Sequence, residues 1–363
     1  MKQLIFPRSN SLSPDVLKRI NDATLKLGAK FGKVAVKNLN ISEYNQRYFQ
    51  TYIDNYSFYS SIYTQLLINA IKELKQAVDQ SILVDYGGGS GMLSFLAKEA
   101  GFMTVIYNDI YKVSVDDVRK ISLSLEIPID HFIEGDAEEV VDYLNSKDIH
   151  PDLICSMDVL EHIYSVKTWF TTITKLNCDF SLVFMTSANA CNPIINRKLR
   201  KVQLRDEYKG TSKYWGWKDR DMNKPFLQAR EEIIQDYDPG MNVELIHFLA
   251  KCTRGLIKED IEKLLEEYHD KGEIQYRPEH STNTCDPYTG NWSEKILKPA
   301  YLKEIVESNG LKFEIRNSYY SYSDRGFVNL AKTMINYIIS FIPSNILFFS
   351  PAYVLIARKI KKI

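Results

Sequence analysis

The stretch VDYGGGSG, residues 84–91, carries the strongest structural signal in this 363-residue chain. The apolar segment ILVDY runs into a glycine-rich turn, and an apolar segment that begins at Gly91 follows directly. This succession predicts a strand, a tight turn and a helix. Glycines let a backbone approach a ligand closely, and the first N–H groups of a helix have no partner within it. The turn therefore predicts a binding site for a nucleotide-like cofactor.

Segments with the character of strands and helices alternate between residues 81 and 187. After ILVDY, the predicted strands are TVIYND, HFIEGD, DLICSMD and SLVFMTS, and the predicted helices between them lie near residues 91–100, 115–125, 137–146 and 166–176. Two more strands, LKFEIRNSYY and AYVLIARK, are predicted close to the C-terminus. Helices between strands imply right-handed crossovers and parallel strands. The predicted fold class is α/β, with a doubly wound, mostly parallel seven-stranded sheet.

Four regions are predicted along the chain. Residues 1–80 form an N-terminal helical region, residues 81–187 the core with the glycine-rich turn, and residues 188–298 a large, mainly helical insertion. Residues 299–363 complete the core with one helix and the last two strands. Within the insertion, the strongest helical segments are 230–237, 243–253 and 258–270.

Six tyrosines recur at roughly helical spacing in the N-terminal region: Tyr44, Tyr48, Tyr52, Tyr56, Tyr59 and Tyr63. Such spacing places aromatic rings on one side of a helix. The pattern predicts either an aromatic face packed against the core or a lid over the active site.

The composition argues against several classes of function. Lysine plus arginine and aspartate plus glutamate each number 46, so no net charge attracts the chain to nucleic acid. The five cysteines are scattered without C-x-x-C spacing, which argues against a zinc site or a disulfide framework. The N-terminus lacks the extended apolar stretch of a secretory signal. We therefore predict a cytoplasmic protein without a metal site or a nucleic-acid partner.

Asp109 ends the second predicted strand, 18 positions beyond Gly91. A carboxylate at this position can accept hydrogen bonds from ribose hydroxyls. The dinucleotide fingerprint G-x-G-x-x-G is the first alternative, but Met92 occupies the place of its last glycine when the motif starts at Gly87. An NAD(P)-dependent oxidoreductase is therefore the disfavoured alternative.

Four residues of the turn match the D-x-G-x-G-x-G motif of class I S-adenosylmethionine-dependent methyltransferases: Asp85, Gly87, Gly89 and Gly91. The chain resembles this family well over residues 81–187 and loosely over its last 65 residues. The resemblance implies a Rossmann-like methyltransferase fold and S-adenosyl-L-methionine as the cofactor.

Three further carboxylates fall on landmarks of the same family. The resemblance implies that Asp109 binds the ribose, that Asp136 in GDAEEV holds the adenine amino group, and that Asp158 in SMDVLEHI belongs to the strand-four cofactor motif. Each landmark also has a structural alternative. Asp85 would support the turn, and Asp136 and Asp158 would cap the helices that follow them.

A methyl donor that is already activated leaves the protein mainly the task of aligning the acceptor. An alcohol acceptor also gains from a base that removes its proton. His162 is the first candidate, because it follows the fourth strand and a histidine titrates near neutral pH; helix packing is the alternative. Glu161 beside it would orient a substrate or bind a metal ion, as in some related enzymes that carry this stretch.

A second polar cluster, RPEHSTNTCDPYTGNW at residues 277–292, contains the further catalytic candidate His280. Polar groups beside aromatic rings suit a sugar or a polyol, and a plain structured loop is the alternative. The stretch KYWGWKDRD, residues 213–221, allows the same two interpretations.

The DVLEHI stretch is similar to that of ubiquinone-biosynthesis and related small-molecule O-methyltransferases. We therefore expect O-methylation of a small molecule, a glycan or a lipid-linked intermediate, with the insertion and the N-terminal helices binding the acceptor. The alternative from a different class is a non-catalytic module that binds S-adenosylmethionine.

The C-terminal region contains a predicted amphipathic helix. One face carries Leu330, Met334, Ile335, Ile338, Ile339 and Ile342, and polar residues occupy the other. Polar residues and Pro343 interrupt the apolar stretch 333–349, so we expect no membrane span. The apolar face either covers the sheet or contacts the inner face of a membrane through residues 329–349, assisted by the basic residues Arg358, Lys359, Lys361 and Lys362.

Overall fold

The structure, a computed structural model, describes residues 13–210, 224–321, 326–341 and 347–359. The tryptophan-containing stretch 213–221, Ile342, Lys361 and Lys362 lie outside the described residues.

One seven-stranded sheet forms the centre of the fold. Its strands are β1 (Ile82–Tyr86), β2 (Thr104–Asp109), β3 (His131–Glu134), β4 (Leu153–Met157), β5 (Phe180–Thr186), β6 (Lys312–Asn317) and β7 (Tyr353–Lys359). They are ordered β3-β2-β1-β4-β5-β7-β6, and β7 runs antiparallel to both of its neighbours. The other pairs, from β3 to β5, are parallel. The predicted doubly wound, mostly parallel sheet is confirmed.

Helices cover the sheet and continue into the insertion. They are α1 (Pro14–Phe31), α2 (Glu43–Asp54), α3 (Tyr56–Ile71), α4 (Met92–Glu99), α5 (Lys112–Leu125), α6 (Ala137–Ser146), α7 (Val166–Ile173), α8 (Pro193–Lys209), α9 (Phe226–Tyr237), α10 (Val243–Cys252), α11 (Lys258–Lys271), α12 (Pro299–Ser308) and α13 (Gly326–Phe341). Strand β5 is buried along its whole length, which is the burial expected of a strand covered on both faces.

The order in which strands are added to the sheet reverses between β1 and β4, which are parallel neighbours. From β1 the order runs outward to β2 and β3 on one side, and from β4 outward to β5 on the other. In open α/β sheets, ligands bind beside the carboxyl ends of the strands at this switch point. The glycine-rich turn follows β1 and Asp158 follows β4, so the topology places both at this edge.

The chain forms two compact units. One comprises the chain up to Leu160, Val166–Asn189 and the chain from Pro299 onward; the other comprises Glu161–Ser165 and Ala190–Lys298. The first unit contains the sheet and the N-terminal helices. The second contains α8 to α11, and the short segment that follows β4 is part of it.

The second unit has a small apolar core and a buried ionic centre. Residues of α9, α10 and α11, including Ile234, Leu249 and Leu265, form the apolar cluster. The Glu207 carboxylate, fully buried on α8, accepts hydrogen bonds from Arg230 (2.6 Å) and Arg254 (3.0 Å). These two cations lower the pKa of Glu207 although burial opposes ionisation. The second unit thus contains a buried ion-pair network as well as an apolar cluster.

Helix α13 departs from the predicted amphipathic packing. Leu330, Met334 and Ile338 are exposed, whereas Asn336, which belongs to the polar face, is buried and bonds to both the N–H and the carbonyl of Tyr320. Among the described residues of the predicted apolar face, Ile339 is buried. The expectation that this face covers the sheet is therefore wrong for most of its residues, because hydrogen bonds of Asn336 orient the helix.

The two described residues of the basic tail, Arg358 and Lys359, belong to β7. Arg358 forms ion pairs with Glu73 and Glu314, and the Lys359 ammonium donates to the carbonyls of Thr174 and Leu176. Their charges are used within the protein. In the part of the chain that the structure describes, no helix is both long enough and apolar enough to cross a membrane.

One buried carboxylate fixes the start of α2. Asp117 on α5 accepts hydrogen bonds at Oδ2 from the Ser42 N–H (3.0 Å), the Ser42 hydroxyl (2.6 Å) and the Asn45 side-chain amide (2.8 Å). Ser42 in turn caps α2 by accepting from the Asn45 N–H. The N-terminal helices are thus fastened to the sheet layer through polar groups.

We predict that Asp117→Ala lowers the free energy of unfolding by about 2–4 kcal/mol, since it leaves buried donors without an acceptor. The matched control is Asp116→Ala, because Asp116 is exposed on the same helix and pairs with Lys112 at 3.6 Å. The control should change stability by less than about 0.5 kcal/mol. Urea denaturation of both variants measures the difference, and equal effects would contradict the anchoring role.

Candidate functional site

Three glycines in the turn after β1 have left-handed backbone angles, and their surroundings differ. A Cβ atom at Gly87 would lie 2.6 Å from the Val159 side chain, and one at Gly91 would lie 2.9 Å from Phe95 and Val118. At Gly89, with φ +54°, the nearest described atom is Cε1 of Tyr48 at 3.9 Å. Gly87 and Gly91 therefore permit close packing, whereas a Cβ atom at Gly89 would make only an ordinary van der Waals contact, with Tyr48.

Asp85 connects β1 to the helix that follows the turn. It is buried, and its Oδ2 accepts hydrogen bonds from the Ser94 N–H (3.0 Å) and the Ser94 hydroxyl (2.7 Å). Burial, with a smaller effect of the charge of Asp109, raises the pKa of Asp85 to about 7 despite these two bonds. The contacts correspond to the structural alternative for Asp85. A direct bond to a cofactor stays a prediction.

Asp109 lies at the carboxyl end of β2 beside the turn. One carboxylate oxygen accepts from the Gly89 N–H at 3.1 Å, and the other accepts from the Tyr111 N–H at 2.8 Å. The Tyr107 hydroxyl donates to the Gly89 carbonyl at 2.6 Å. Both backbone groups of Gly89 are thus held by β2 and its end, which fixes the path of the turn.

Asp136 begins α6 with a capping box. Its side chain accepts from the Glu138 N–H at 2.8 Å, and the Glu139 carboxylate accepts from its backbone N–H at 2.9 Å. Burial and the hydrogen bond with Glu139 raise the pKa of Asp136. The neighbouring Gly135 N–H donates to the Asp109 carbonyl at 3.1 Å, so this loop adjoins Asp109. The cap is therefore formed, and a contact with adenine stays a prediction.

Asp158 connects the ends of β4 and β5. Its backbone has a left-handed φ of +52°, which is unusual for a residue other than glycine. Its Oδ1 accepts from the Ser187 N–H at 2.6 Å, and its own N–H donates to the Met185 carbonyl. The alternative that Asp158 caps a following helix is wrong, because the side chain bonds across to β5 instead.

The tyrosines of α2 and α3 have two roles. Tyr52, Tyr56 and Tyr63 are buried, and the hydroxyls of Tyr52 and Tyr63 lie 2.8 Å apart. They form the aromatic packing face. Tyr48 is half-buried and reaches Gly89. The helical spacing in the sequence identifies the tyrosines as a set, but it does not show that Tyr48 is the ring beside the turn.

His162 ends the 3₁₀ turn Leu160–His162 that follows β4. Its Nδ1 lies 2.9 Å from the carbonyl oxygen of Trp292, and its Nε2 lies 4.0 Å from a carboxylate oxygen of Glu294. Because a carbonyl can only accept, Nδ1 carries the proton, and the neutral ring has its lone pair on Nε2. This contact leaves Nε2 as the ring nitrogen that could act as a base. Its role as the base stays a prediction.

Glu161 is buried, and its carbonyl accepts from the Lys295 N–H at 3.1 Å. Lys295 is also buried, and its ammonium lies 4.3 Å from the centre of the Trp292 ring and 3.3 Å from Glu279. Burial lowers the pKa of Lys295. Within the described ranges, no three His, Cys, Asp or Glu side chains are grouped as metal ligands.

His280 makes contacts of its own rather than joining His162. Its Nδ1 lies 3.1 Å from the Thr282 hydroxyl, and burial followed by the charges of Arg200 and Lys298 lowers its pKa. Among the described residues, no hydrogen bond or ion pair joins His280 to His162. Nearby, Asn283 accepts from the Gln203 amide at 3.0 Å and from the Ile296 N–H at 2.9 Å. That side chain serves the internal structure of the loop.

Glu294 is a candidate that the sequence analysis did not identify. It has a left-handed φ of +53°, and its carboxylate is the acidic group beside Nε2 of His162. Non-glycine residues in this conformation are uncommon and occur preferentially at functional sites. Nothing in the local sequence SEK signals either the conformation or the neighbour.

Residues 57–229 match a family model described as a methyltransferase domain. The chain carries a methyltransferase domain. This match confirms the predicted resemblance to a methyltransferase family. S-adenosylmethionine is the cofactor that the sequence predicts for this domain. Comparison with curated proteins gives no match.

Several solved methyltransferase structures are similar to this chain. They include the plantazolicin methyltransferase BpumL in complex with S-adenosylhomocysteine (9% identity, 96% of this chain and 100% of that chain, TM-score 0.39) and the magnesium protoporphyrin IX methyltransferase from Synechocystis PCC 6803 with bound S-adenosylhomocysteine (11%, 86% and 93%, 0.38). A methyltransferase from Agrobacterium tumefaciens shares 13% identity over 34% of this chain, at a TM-score of 0.26. The match spans 43% of that Agrobacterium chain. With TM-scores below 0.5, these similarities do not bear on the acceptor.

The residues of the first unit fit this cofactor. A Cβ atom at Gly89 would occupy the open space above the turn, which is where a ligand can approach the backbone. Asp109 accepts two backbone hydrogen bonds, and a carboxylate has about four lone-pair positions, so its chemistry also suits ribose hydroxyls. The turn, Asp109 and the loop at Gly135 lie at the carboxyl ends of the neighbouring strands β1, β2 and β3.

We predict that Asp85→Asn flattens the dependence of stability on pH between 5 and 7. A carboxyl whose folded pKa is raised to about 7 stabilises the fold at low pH, and this contribution is lost as the pH rises towards 7. The wild type should lose about 1 kcal/mol per pH unit relative to the variant, whose amide oxygen can still accept from Ser94. Thermal unfolding at several pH values measures the difference. Parallel curves would refute the raised pKa.

Proposed function

We propose that this chain transfers a methyl group from S-adenosylmethionine to an oxygen atom of a small molecule, a glycan or a lipid-linked intermediate. The observation that carries the proposal is the fixed turn at the switch point of the sheet. There no atom crowds the Cβ position of Gly89 more closely than Tyr48 at 3.9 Å, while Asp109 holds its N–H. The contact of His162 Nδ1 with the Trp292 carbonyl supports oxygen as the methylated atom, because it directs Nε2 outward as a base and an alcohol benefits from a base.

The donor-binding residues are proposed to be Asp85, Gly87, Gly89, Gly91, Asp109, Asp136 and Asp158. When bound, the cofactor supplies a methyl group on a positively charged sulfur that leaves as a neutral thioether. Gly89 provides the close backbone approach, and Asp109 accepts from the ribose. Asp85 and Asp158 keep the ends of β1 and β4 in place through Ser94 and Ser187.

On the acceptor side, His162 is proposed to take the hydroxyl proton at Nε2. The Trp292 carbonyl keeps the proton of the neutral ring on Nδ1, and the carboxylate near Nε2 stabilises the imidazolium that results. His280 and Glu161 are the further catalytic candidates. Residues 188–298 and the N-terminal helices are proposed to bind the acceptor.

We predict that Gly89→Val weakens S-adenosylmethionine binding by at least about 100-fold. The valine side chain would fill the space above the turn, and valine adopts the left-handed backbone conformation of Gly89 only with strain. Asp109→Ala should weaken it by about 10- to 100-fold through lost hydrogen bonds. Calorimetry measures both, with thermal unfolding as a check on folding.

Gly310→Val is the matched control for backbone strain. Gly310 also has a left-handed φ, +74°, and no described atom lies within 4 Å of the position that a Cβ atom would take there. Affinity should be unchanged in this variant. Unchanged affinity in both Gly89→Val and Asp109→Ala would remove the donor-site assignment. Transfer of a radioactive methyl group to an acceptor distinguishes an enzyme from a non-catalytic module.

We further propose that the protein acts in the cytoplasm and touches the inner membrane face through residues 329–349. Support comes from the exposed apolar residues of α13 and from Phe348 and Phe349, which are 51% and 42% exposed. The sequence of α13 contains one lysine and no acidic residue. Apolar and aromatic side chains on one helix face favour insertion at the membrane–water boundary.

We predict that the protein co-sediments with liposomes and that Met334→Glu reduces the bound fraction several-fold, because a carboxylate would enter the apolar boundary. Leu123→Glu is the matched control, since Leu123 on α5 is 78% exposed and lies on a different helix. The control should bind like the wild type. A wild-type protein that stays in the supernatant would refute membrane contact.

A further inference from the structure

A group of aromatic side chains lies against the glycine-rich turn. We call Tyr44, Tyr48, Tyr52, Tyr59 and Tyr63 the tyrosine cluster. The rings of Tyr44 and Tyr48 stack at 5.9 Å between centres, and Tyr48 meets Tyr52 edge to face at 5.2 Å. Tyr52 in turn contacts Tyr59 at 4.6 Å and Tyr63 at 6.0 Å. The cluster is thus continuous from the buried core to the turn.

Tyr48 is the member of the cluster that borders the donor site. Its Cε1 atom is the nearest described atom to the open side of Gly89, 3.9 Å from the position of a Cβ. The ring is half-buried, and it packs against Tyr44 and Tyr52 of the cluster. A ligand that lies on Gly89 therefore meets this ring.

The position of Tyr48 is fixed from both sides. Helix α2 is fastened at its start by Asp117, which accepts from Ser42 and Asn45. Tyr48 follows Asn45 by less than one helical turn. Its ring is held by the neighbours Tyr44 and Tyr52. The ring is therefore preorganised before any ligand arrives, which reduces the entropy lost on binding.

Three carboxyl groups lie around the turn. Asp85, Asp109 and Asp158 lie at the ends of β1, β2 and β4. Within the described ranges, no lysine or arginine forms an ion pair with Asp85 or Asp158. The charges of both carboxylates contribute to the raised pKa of Tyr63, which places that ring in their field. The face of an aromatic ring also attracts cations.

We propose that Tyr48 is a specificity residue that distinguishes the positively charged sulfonium of the donor from the neutral thioether of the product. This inference rests on the proposed function. The ring and the nearby carboxylates favour a cation and gain nothing from a neutral sulfur. Tyr48 would therefore strengthen binding of S-adenosylmethionine and leave S-adenosylhomocysteine comparatively weakly held, which promotes release of the product.

The test is calorimetric titration of both compounds against the wild type, Tyr48→Phe and Tyr48→Leu. The leucine variant should lose about 5- to 30-fold in affinity for S-adenosylmethionine, the range expected for a cation over an aromatic ring. Its affinity for S-adenosylhomocysteine should change less than about twofold. The phenylalanine variant keeps the ring and should bind both compounds like the wild type.

Tyr59→Leu is the control, because Tyr59 belongs to the same cluster and contacts Tyr52 and Phe58. It should leave the ratio of the two affinities unchanged, and thermal unfolding verifies that each variant is folded. Equal losses for both compounds in Tyr48→Leu, or no loss, would overturn the inference and leave the proposed function intact. A loss in Tyr48→Phe as large as in Tyr48→Leu would also overturn it. A wild type that binds neither compound would overturn the proposed function itself.

Discussion

The hydrogen bonds that hold Gly89 determine the geometry of the glycine-rich turn. The Asp109 carboxylate takes its N–H and the Tyr107 hydroxyl donates to its carbonyl, so the turn after β1 is tied to β2 on both sides. At this position the left-handed backbone conformation has a low energy only for glycine. The glycine also leaves the space above the turn open. One backbone position therefore sets both the rigidity of the turn and the room for a ligand.

Much of the fold was predictable because buried parallel strands and their crossover helices have distinctive patterns. The seven strands follow apolar runs, and helices such as α6 begin where the capping residue Asp136 stands. Helix α8 escaped prediction for a physical reason. Its buried positions are Leu199, Gln203, Asp206 and Glu207, which recur at helical spacing but are mostly polar. A search for apolar periodicity does not detect a helix whose buried positions are polar and form hydrogen bonds and ion pairs.

The candidate site was predictable in part. The order of the turn, Asp109 and Asp136 along the chain located one sheet edge, since the ends of neighbouring parallel strands meet there. The individual contacts depended on long-range packing. Of six similar tyrosines, the structure places Tyr48 beside Gly89, and Glu294 approaches His162 across 132 residues of sequence. In α13, the hydrogen bonds of Asn336 outweigh the apolar pattern.

The segment Glu161–Ser165 has an additional consequence for how such enzymes can be altered. Although it directly follows β4, its contacts are with the insertion: the His162 ring with the Trp292 carbonyl, and the Tyr164 carbonyl with the Trp292 indole. A chimera that exchanged residues 190–298 alone would leave these five residues without their partners. Transplanting the insertion therefore requires the pentapeptide to be transferred with it as a second, separate graft.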